Sequence, residues 1–562
     1  MAGQSPHKKG KPGNEMKNDL LYLRSNVQVE PLFDQWYAWS HLIPPATAAR
    51  NLTDRHLKIM DSYINAPQVH ANAVKNPKLL GGPFIDYGGK RVEEIKALRE
   101  QTKRKRGHLI ELSAAIASLE ELLRTQARGF SLQPLYAKVP DPLRGYVELT
   151  YDLNNHASYR IIEPLLYDSR YYDRGAQSLM LSLITGDDRP FVLSTPRLTS
   201  DSLLHLRLPF DDEVVDELFR LKSTPRPWGE IIDMLAVPES YEPLAWSFLT
   251  PDPPPGYSPY RGRGARWRYF GHACILLETP DVNMLFDPML SYTYESGVSR
   301  YTYQDLPDSI DYVVITHNHQ DHVLLETLLQ IRHKVKNIVV PSNSGGLLQD
   351  PSMKLIFKNI GFKNVIELDD LESVDWGRGS ITAVPFFGEH CDLNIRSKAA
   401  YVVRVLDRVL LFAADSCNIE PRLYEHLHDR IGDVDVLFLG MECDGAPLTW
   451  LYGPLLTTVI DRAKDESRRL AGSDFEQAMD LVRRFNCKSA YVYAMGQEPW
   501  LGYIMSLKYS SVSRPIVESD RLVRECLGQG VCAERLFGEK EIFIDEVRVP
   551  TEPPPAPLQT HR

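Results

Sequence analysis

Apolar positions change their rhythm partway along the chain. Between residues 92 and 123, Val92, Ile95, Leu98, Leu109, Leu112, Ile116, Leu119 and Leu122 recur near helical spacing. That pattern predicts one long helix, or two with a break at Gly107. Apolar runs at 178–183 and 191–194 predict strands in the same half. From residue 266 onward the texture is a succession of short apolar runs: RWRYF, CILLET, VNMLFDP, DYVVIT, NIVVP, SITAVPFF, AAYVVRVL, RVLLFAA, DVLFLGM and SAYVYAM. Strand follows strand at first, and later runs alternate with helical segments such as HVLLETLLQI (322–331). Two packed sheets with helices outside, an α/β sandwich, is the architecture this order predicts. Proline and glycine in PDPPPGYSPYRGRGARW (251–267) preclude helix and mark a linker. The expected organisation is a disordered tail (1–18), a mixed, largely helical α+β domain (19–250), the linker (251–267), the sandwich domain (268–545) and a Pro-rich disordered tail (546–562).

Length agrees with two domains, because 562 residues exceed what one compact core holds. A net charge of −10 argues against nucleic acid as partner, since that binding rests on cationic contacts to phosphate. No apolar run reaches the ~18 residues of a membrane span, and the basic start lacks the apolar core of a signal peptide. All seven cysteines follow the linker, their number is odd and no CxxC pair occurs, which predicts a reduced, cytoplasmic protein. Cys391, Cys417 and Cys443 stand beside candidate ligands and are read as small residues filling a buried pocket. GGPFIDYGGK (81–90) lacks the spacing of a phosphate loop and is read as a turn. Lys103, Arg104, Lys105 and Arg106 read as a solvated helix face, with docking to an acidic partner as the other reading.

The segment DYVVITHNHQDH (311–322) carries the chemistry. Its apolar strand ends in a loop bearing His317, His319, Asp321 and His322. Residues two apart in extended backbone point the same way, so His317 and His319 can grip one metal while Asp321 and His322 reach a second. Imidazoles with a carboxylate suit zinc or iron. The segment resembles the HxHxDH signature of the metallo-β-lactamase superfamily, and GHACILLE (271–278) and MLFDP (284–288) are similar to its opening strands. The resemblance implies an αββα sandwich and makes Asp287 a carboxylate behind a ligand imidazole; a turn residue before Pro288 is the competing reading. His272 is either functional or a hydrogen-bonded core histidine. In GEHCD (388–392) either Glu389 or His390 can stand where the family uses a histidine, and Asp415 fits the bridging carboxylate. No strand-end histidine follows Asp415; His426 and His428 lie on a polar helical segment, whereas Glu442 ends a strong strand and fits the last place. With Glu389 favoured over His390, the set holds three imidazoles and four carboxylates. That oxygen-rich set suits iron better than the nitrogen-rich site of a zinc hydrolase.

This combination resembles the di-iron β-hydroxylases typified by the aminoarylalanine β-hydroxylase of chloramphenicol biosynthesis. FDQWYAWSHLIPPATAARN (33–51) and NPKLLGGPFIDYGGKRVEE (76–94) are similar to the N-terminal domain of that family. The resemblance implies a dioxygen-dependent monooxygenase of natural-product biosynthesis. Its substrate would be an amino acid tethered to a carrier domain of a non-ribosomal peptide synthetase. It implies two oxygen-bridged irons, with His317, His319 and Glu389 on one, Asp321, His322 and Glu442 on the other, and Asp415 between them. An external electron donor is implied as well, with an N-terminal domain for partner docking or dimerisation and a homodimer allowed for. Trp450 and Tyr452 are candidates for a wall facing an aromatic side chain, with core packing as the other reading. The competing function is a zinc-dependent hydrolase with His390 as ligand and a metal-bound hydroxide as nucleophile.

Overall fold

The computed structural model describes residues 19–544, so the two expected tails lie outside the described residues. Two seven-stranded sheets form the C-terminal half. The first runs, edge to edge, through Val365–Leu368, Val335–Pro341, Ile310–Val314, Asn283–Phe286, Ile275–Glu278, Ala265–Tyr269 and Lys540–Ile544. The second runs through Ser373–Asp375, Gly379–Val384, Ala400–Val405, Arg408–Phe412, Val436–Gly440, Ser489–Tyr493 and Cys532–Arg535. Each sheet begins antiparallel and becomes parallel where helices supply the crossovers.

The continuous apolar runs follow from burial on both faces. In Ile275–Glu278, Ile275 and Leu277 point between the sheets, where they join Trp267, Phe286, Phe412 and Phe438. Leu276 points outward into a different core. Phe286 and Phe412, one from each sheet, stack with ring centroids 3.7 Å apart. The helices Pro421–Ile431, Phe475–Arg484 and Arg514–Gly528 cover the outer face of the second sheet. The outer face of the first is covered largely by the N-terminal half: Leu276, Leu285, Val313 and Ile338 share one core with Val29, Leu112, Leu179 and Phe219.

That N-terminal half combines a four-stranded sheet, two smaller sheets and helices, the longest being Gly107–Gln126. The periodic stretch is two helices, Val92–Lys105 and Gly107–Gln126, parted at Arg106. Several expectations need correction. Residues 191–194 form a turn, not a strand, and Arg197 behind them folds its guanidinium onto buried Glu30. The expected linker 251–267 is too long, because the strand Ala265–Tyr269 begins inside it and buries Trp267 completely. Arg106 is no surface cation: it is buried against Asp34 and Asp173, whereas Lys103, Arg104 and Lys105 are exposed.

Candidate metal centre

Strand ends of both sheets converge on one buried cluster. His317, His319, Asp321 and His322 lie in the loop after Ile310–Val314, Asp287 follows Asn283–Phe286, and Glu389 and His390 lie beyond Gly379–Val384. Asp415 and Glu442 follow Arg408–Phe412 and Val436–Gly440. The loops are bent by residues held at positive φ: His272 (51°), Asp287 (36°), Glu389 (65°), Ala414 (47°) and Ala494 (53°). Such backbone is costly for residues with a side chain and persists where surrounding structure imposes it.

Two donor atoms bound to one metal at about 2.1 Å stand roughly 3 to 3.5 Å apart, so the spacing of the cluster can be tested for fit. His319 Nδ1 lies 3.0 Å from Glu389 Oε1, and His317 Nε2 lies 3.8 Å from Glu389 Oε2. These three residues form one candidate group. Asp415 Oδ2 is 3.0 Å from His322 Nε2 and 3.8 Å from His317 Nε2, which sets its carboxylate between two positions. Asp321 Oδ2 lies 3.8 Å from His322 Nε2 and 3.1 Å from His272 Nε2, and these residues form another group. His317 Nε2, Glu389 Oε2 and Asp415 Oδ1 are buried without hydrogen-bond partners. Unpartnered donors and acceptors at this spacing fit two adjacent cations.

The imidazoles are aimed from behind. His322 Nδ1 meets Asp287 Oδ2 at 2.8 Å, leaving Nε2 for the site. Thr316 Oγ1 donates to the same Asp287 oxygen at 2.6 Å and meets His317 Nδ1 at 3.0 Å, so one carboxylate orients two rings. His319 is turned the other way: Tyr452 Oη holds its Nε2 at 2.8 Å, freeing Nδ1. Asp287 therefore does more than terminate a strand, and Tyr452 packs in the core while touching the site. Gly440 leaves room for the Asp415 carboxylate, since a Cβ there would lie 2.5 Å from its Oδ1.

Burial and neighbouring charge shift the titration of the cluster's own side chains. Burial pushes the Glu389 carboxyl up to about 7, against the pull of His319. Burial works against an ionised Asp321, yet the neighbouring His322 and His272 hold its carboxyl well below the usual range. Burial likewise opposes the His322 imidazolium, but Asp415, Asp287 and Asp321 keep it well above the ordinary value.

Three placements differ from the sequence reading or were left open by it. Glu442 stands on the cavity wall, outside the three ligand groups, where Gly445 N–H (2.7 Å) and the Tyr509 hydroxyl hold its carboxylate. His390 is buried and stacks on His319 at 4.4 Å, but joins none of those groups. His272 belongs beside Asp321, and its carbonyl accepts from Ala494 N–H at 2.8 Å. The only sequence signal for it is its place between the two opening strands of the sandwich. Cys391, Cys417 and Cys443 are buried and lie outside the ligand groups.

Residues 22–253 match the family model of the di-iron non-heme β-hydroxylase N-terminal domain, and residues 282–491 match that of a β-lactamase superfamily domain. The chain is 40% identical over 521 residues to the 4-amino-L-phenylalanyl-[CmlP-peptidyl-carrier-protein] 3-hydroxylase of Streptomyces venezuelae, covering 92% of this chain and 98% of that protein. The crystal structure of CmlA, a di-iron β-hydroxylase from Streptomyces venezuelae, superposes with a TM-score of 0.88 at 39% identity, covering 94% of this chain and all of that one. A mutant of CmlA gives a TM-score of 0.86 at the same 39% identity, over 93% of this chain.

Proposed function

This chain belongs to the di-iron non-heme β-hydroxylase family, and from that premise we propose that it hydroxylates the β-carbon of an amino acid tethered to a peptidyl carrier domain. The observation that carries the reading is the oxygen-rich donor set. Glu389 joins His317 and His319 in a candidate group, while Asp415 reaches both His317 and His322. Carboxylates in these places favour iron over the nitrogen-rich sets of zinc hydrolases. His317, His319 and Glu389 would hold one iron, Asp321, His322 and Glu442 the other, with Asp415 between them. When bound, the iron pair supplies the reaction of dioxygen with the β C–H bond. One oxygen atom enters the product, and the other leaves as water with two electrons from an external donor and two protons.

The protein's own part is positioning and exclusion. Asp287 and Thr316 orient the rings of His322 and His317, and Tyr452 orients that of His319. Glu442 lines the same cavity as Asp321, Glu389 and Asp415, with its carboxylate held by Gly445 and Tyr509. The cavity beside the ligands, about 410 Å³, is walled by Trp450, Leu451, Leu470 and Met505, apolar side chains suited to an aromatic amino acid. The N-terminal half covers the first sheet and contributes Leu80 and Gly81 to this wall, which supports a role for it in receiving the carrier.

The test compares an aromatic amino acid free in solution with the same group loaded on a carrier domain, using iron-loaded protein, a reductant and dioxygen. Mass spectrometry should find one added oxygen on the loaded form only. Equal turnover of the free amino acid would remove the carrier from the proposal. Tightly held zinc together with ester or lactam hydrolysis would overturn the oxygenase reading.

A further inference from the structure

The cavity at the metal-site side chains, about 410 Å³, shares Leu80, Gly81, Ser506, Leu507, Lys508 and Tyr509 with a second cavity of about 790 Å³. The two adjoin along this shared wall, and we read them as one passage between the halves of the chain. Its walls at the junction are a turn of the N-terminal half and the segment following the helix Gly502–Met505. The turn is pinned across the passage, because Trp450 Nε1 donates to the Gly81 carbonyl at 3.0 Å. Gly81 has φ +71°, and a Cβ there would meet Trp450 Nε1 at 3.0 Å, so the close approach needs glycine. The neighbours Lys508 and Tyr509 differ in exposure: the Tyr509 hydroxyl rests on Glu442 beside the ligands, whereas Lys508 is exposed.

Charge along this passage is predominantly acidic. Beyond the candidate ligand carboxylates, Asp444 lines the inner cavity and Asp86, Asp187, Asp188 and Glu498 the outer one. The only lysine or arginine side chains among the described lining residues are Arg189 and Lys508. Arg189 is consumed by Glu30 and Glu326, at 2.6 and 2.8 Å. Lys508 lines both cavities and has no ion-pair or hydrogen-bond partner among the described residues. An anionic group on a long ligand would be repelled along most of this passage and held at one point.

We infer that Lys508 binds the phosphate of a phosphopantetheine arm whose thioester end reaches inward, past Tyr509, to the metal ligands. This assignment rests on the carrier-bound substrate proposed above, and it names the residue that sets the depth of the arm. The phosphodiester is the arm's one permanent anion, and an ammonium beside it makes a charge-assisted contact. The arm is held by its carrier at the phosphate end, so it enters with its acyl end first.

The test needs no turnover. Calorimetric titration of the metal-loaded full chain with phosphopantetheine and with pantetheine should show the phosphorylated form binding about tenfold more tightly. Lys508→Ala should bind the two alike with pantetheine affinity unchanged, and Lys508→Arg should retain the preference. With loaded carrier, Lys508→Ala should raise KM by a similar factor. No preference in the wild type, or a preference that survives in Lys508→Ala, overturns the assignment. A loss confined to loaded carrier, with the small probes unaffected, also overturns it and points to a contact with the carrier's own surface. If the phosphate preference is found but loaded carrier is never hydroxylated, the proposed function fails and Lys508 stands as a phosphopantetheine contact.

Discussion

Asp287 holds His322 directly and His317 through Thr316, so its loss frees two ligands at once. Asp287→Ala should lower metal affinity about 10–100-fold, measured by competition with a chelator. Tyr452→Phe frees only His319 and should fall toward the lower end of that range. Glu389 and His390 are adjacent in sequence, but only Glu389 joins a ligand group. Glu389→Ala should alter the iron absorption spectrum and abolish hydroxylation, whereas His390→Ala should keep the spectrum. The reverse result would transfer the ligand role to His390. Glu442→Ala should reduce bound iron from about two per chain to about one, read by elemental analysis, since no strand-end histidine can replace it.

At the scale of elements, the break at Arg106 joins two helices to the rest of the N-terminal half. Its guanidinium meets Asp34 at 2.8 Å and also Asp173, and all three side chains are largely buried. Removing one partner of such a network leaves uncompensated charge inside the protein. Arg106→Ala should therefore cost about 3–5 kcal/mol, seen as a lower midpoint in denaturant unfolding. Alanine at the exposed Lys103, Arg104 and Lys105 should stay within about 0.5 kcal/mol of wild type.

For the molecule as a whole, the two halves share a core, and deleting residues 1–250 would uncover Leu276, Leu285, Val313 and Ile338. The truncated chain should aggregate rather than keep activity, as size-exclusion chromatography would show. Lys222 probes the same junction. It is buried in the N-terminal half, with its ammonium 5.5 Å from the Tyr292 ring and 5.7 Å from that of Tyr303, both from the sandwich half. Burial pushes it down to about 7, against the attraction of Glu326. The unfolded chain keeps this proton up to a pKa of about 10.4, so its burial costs stability in full below about pH 7. That penalty fades as pH rises through the window, because the unfolded state then binds more protons than the folded one. Lys222→Met should accordingly raise the unfolding temperature at pH 7, and the gain should shrink by pH 9.5.

Local pattern was enough for the two-sheet sandwich and for the first four candidate ligands. Burial on both faces writes itself as uninterrupted apolar runs, and His317, His319, Asp321 and His322 lie on one six-residue loop. Glu389, Asp415 and Glu442 were legible as carboxylates placed after strands, because strand ends at one edge of packed sheets must meet. The direction of each side chain was not legible. Glu442 faces Tyr509, 67 residues later; His319 is aimed by Tyr452, 133 residues later; and His272 reaches Asp321 only because two strand ends are neighbours. Of the two helical readings the chain takes two helices, parted at Arg106, which finds Asp34, 72 residues earlier, and the linker shortened because Trp267 finds Phe438 across the sandwich. Sequence by itself determined the strand runs of the sandwich and offered candidate donors on their end loops, since both depend on residue type and short-range spacing. Tertiary structure alone decided the ring orientations, the resting place of Glu442 and the shared core, since these depend on partners that only packing brings within a few ångströms.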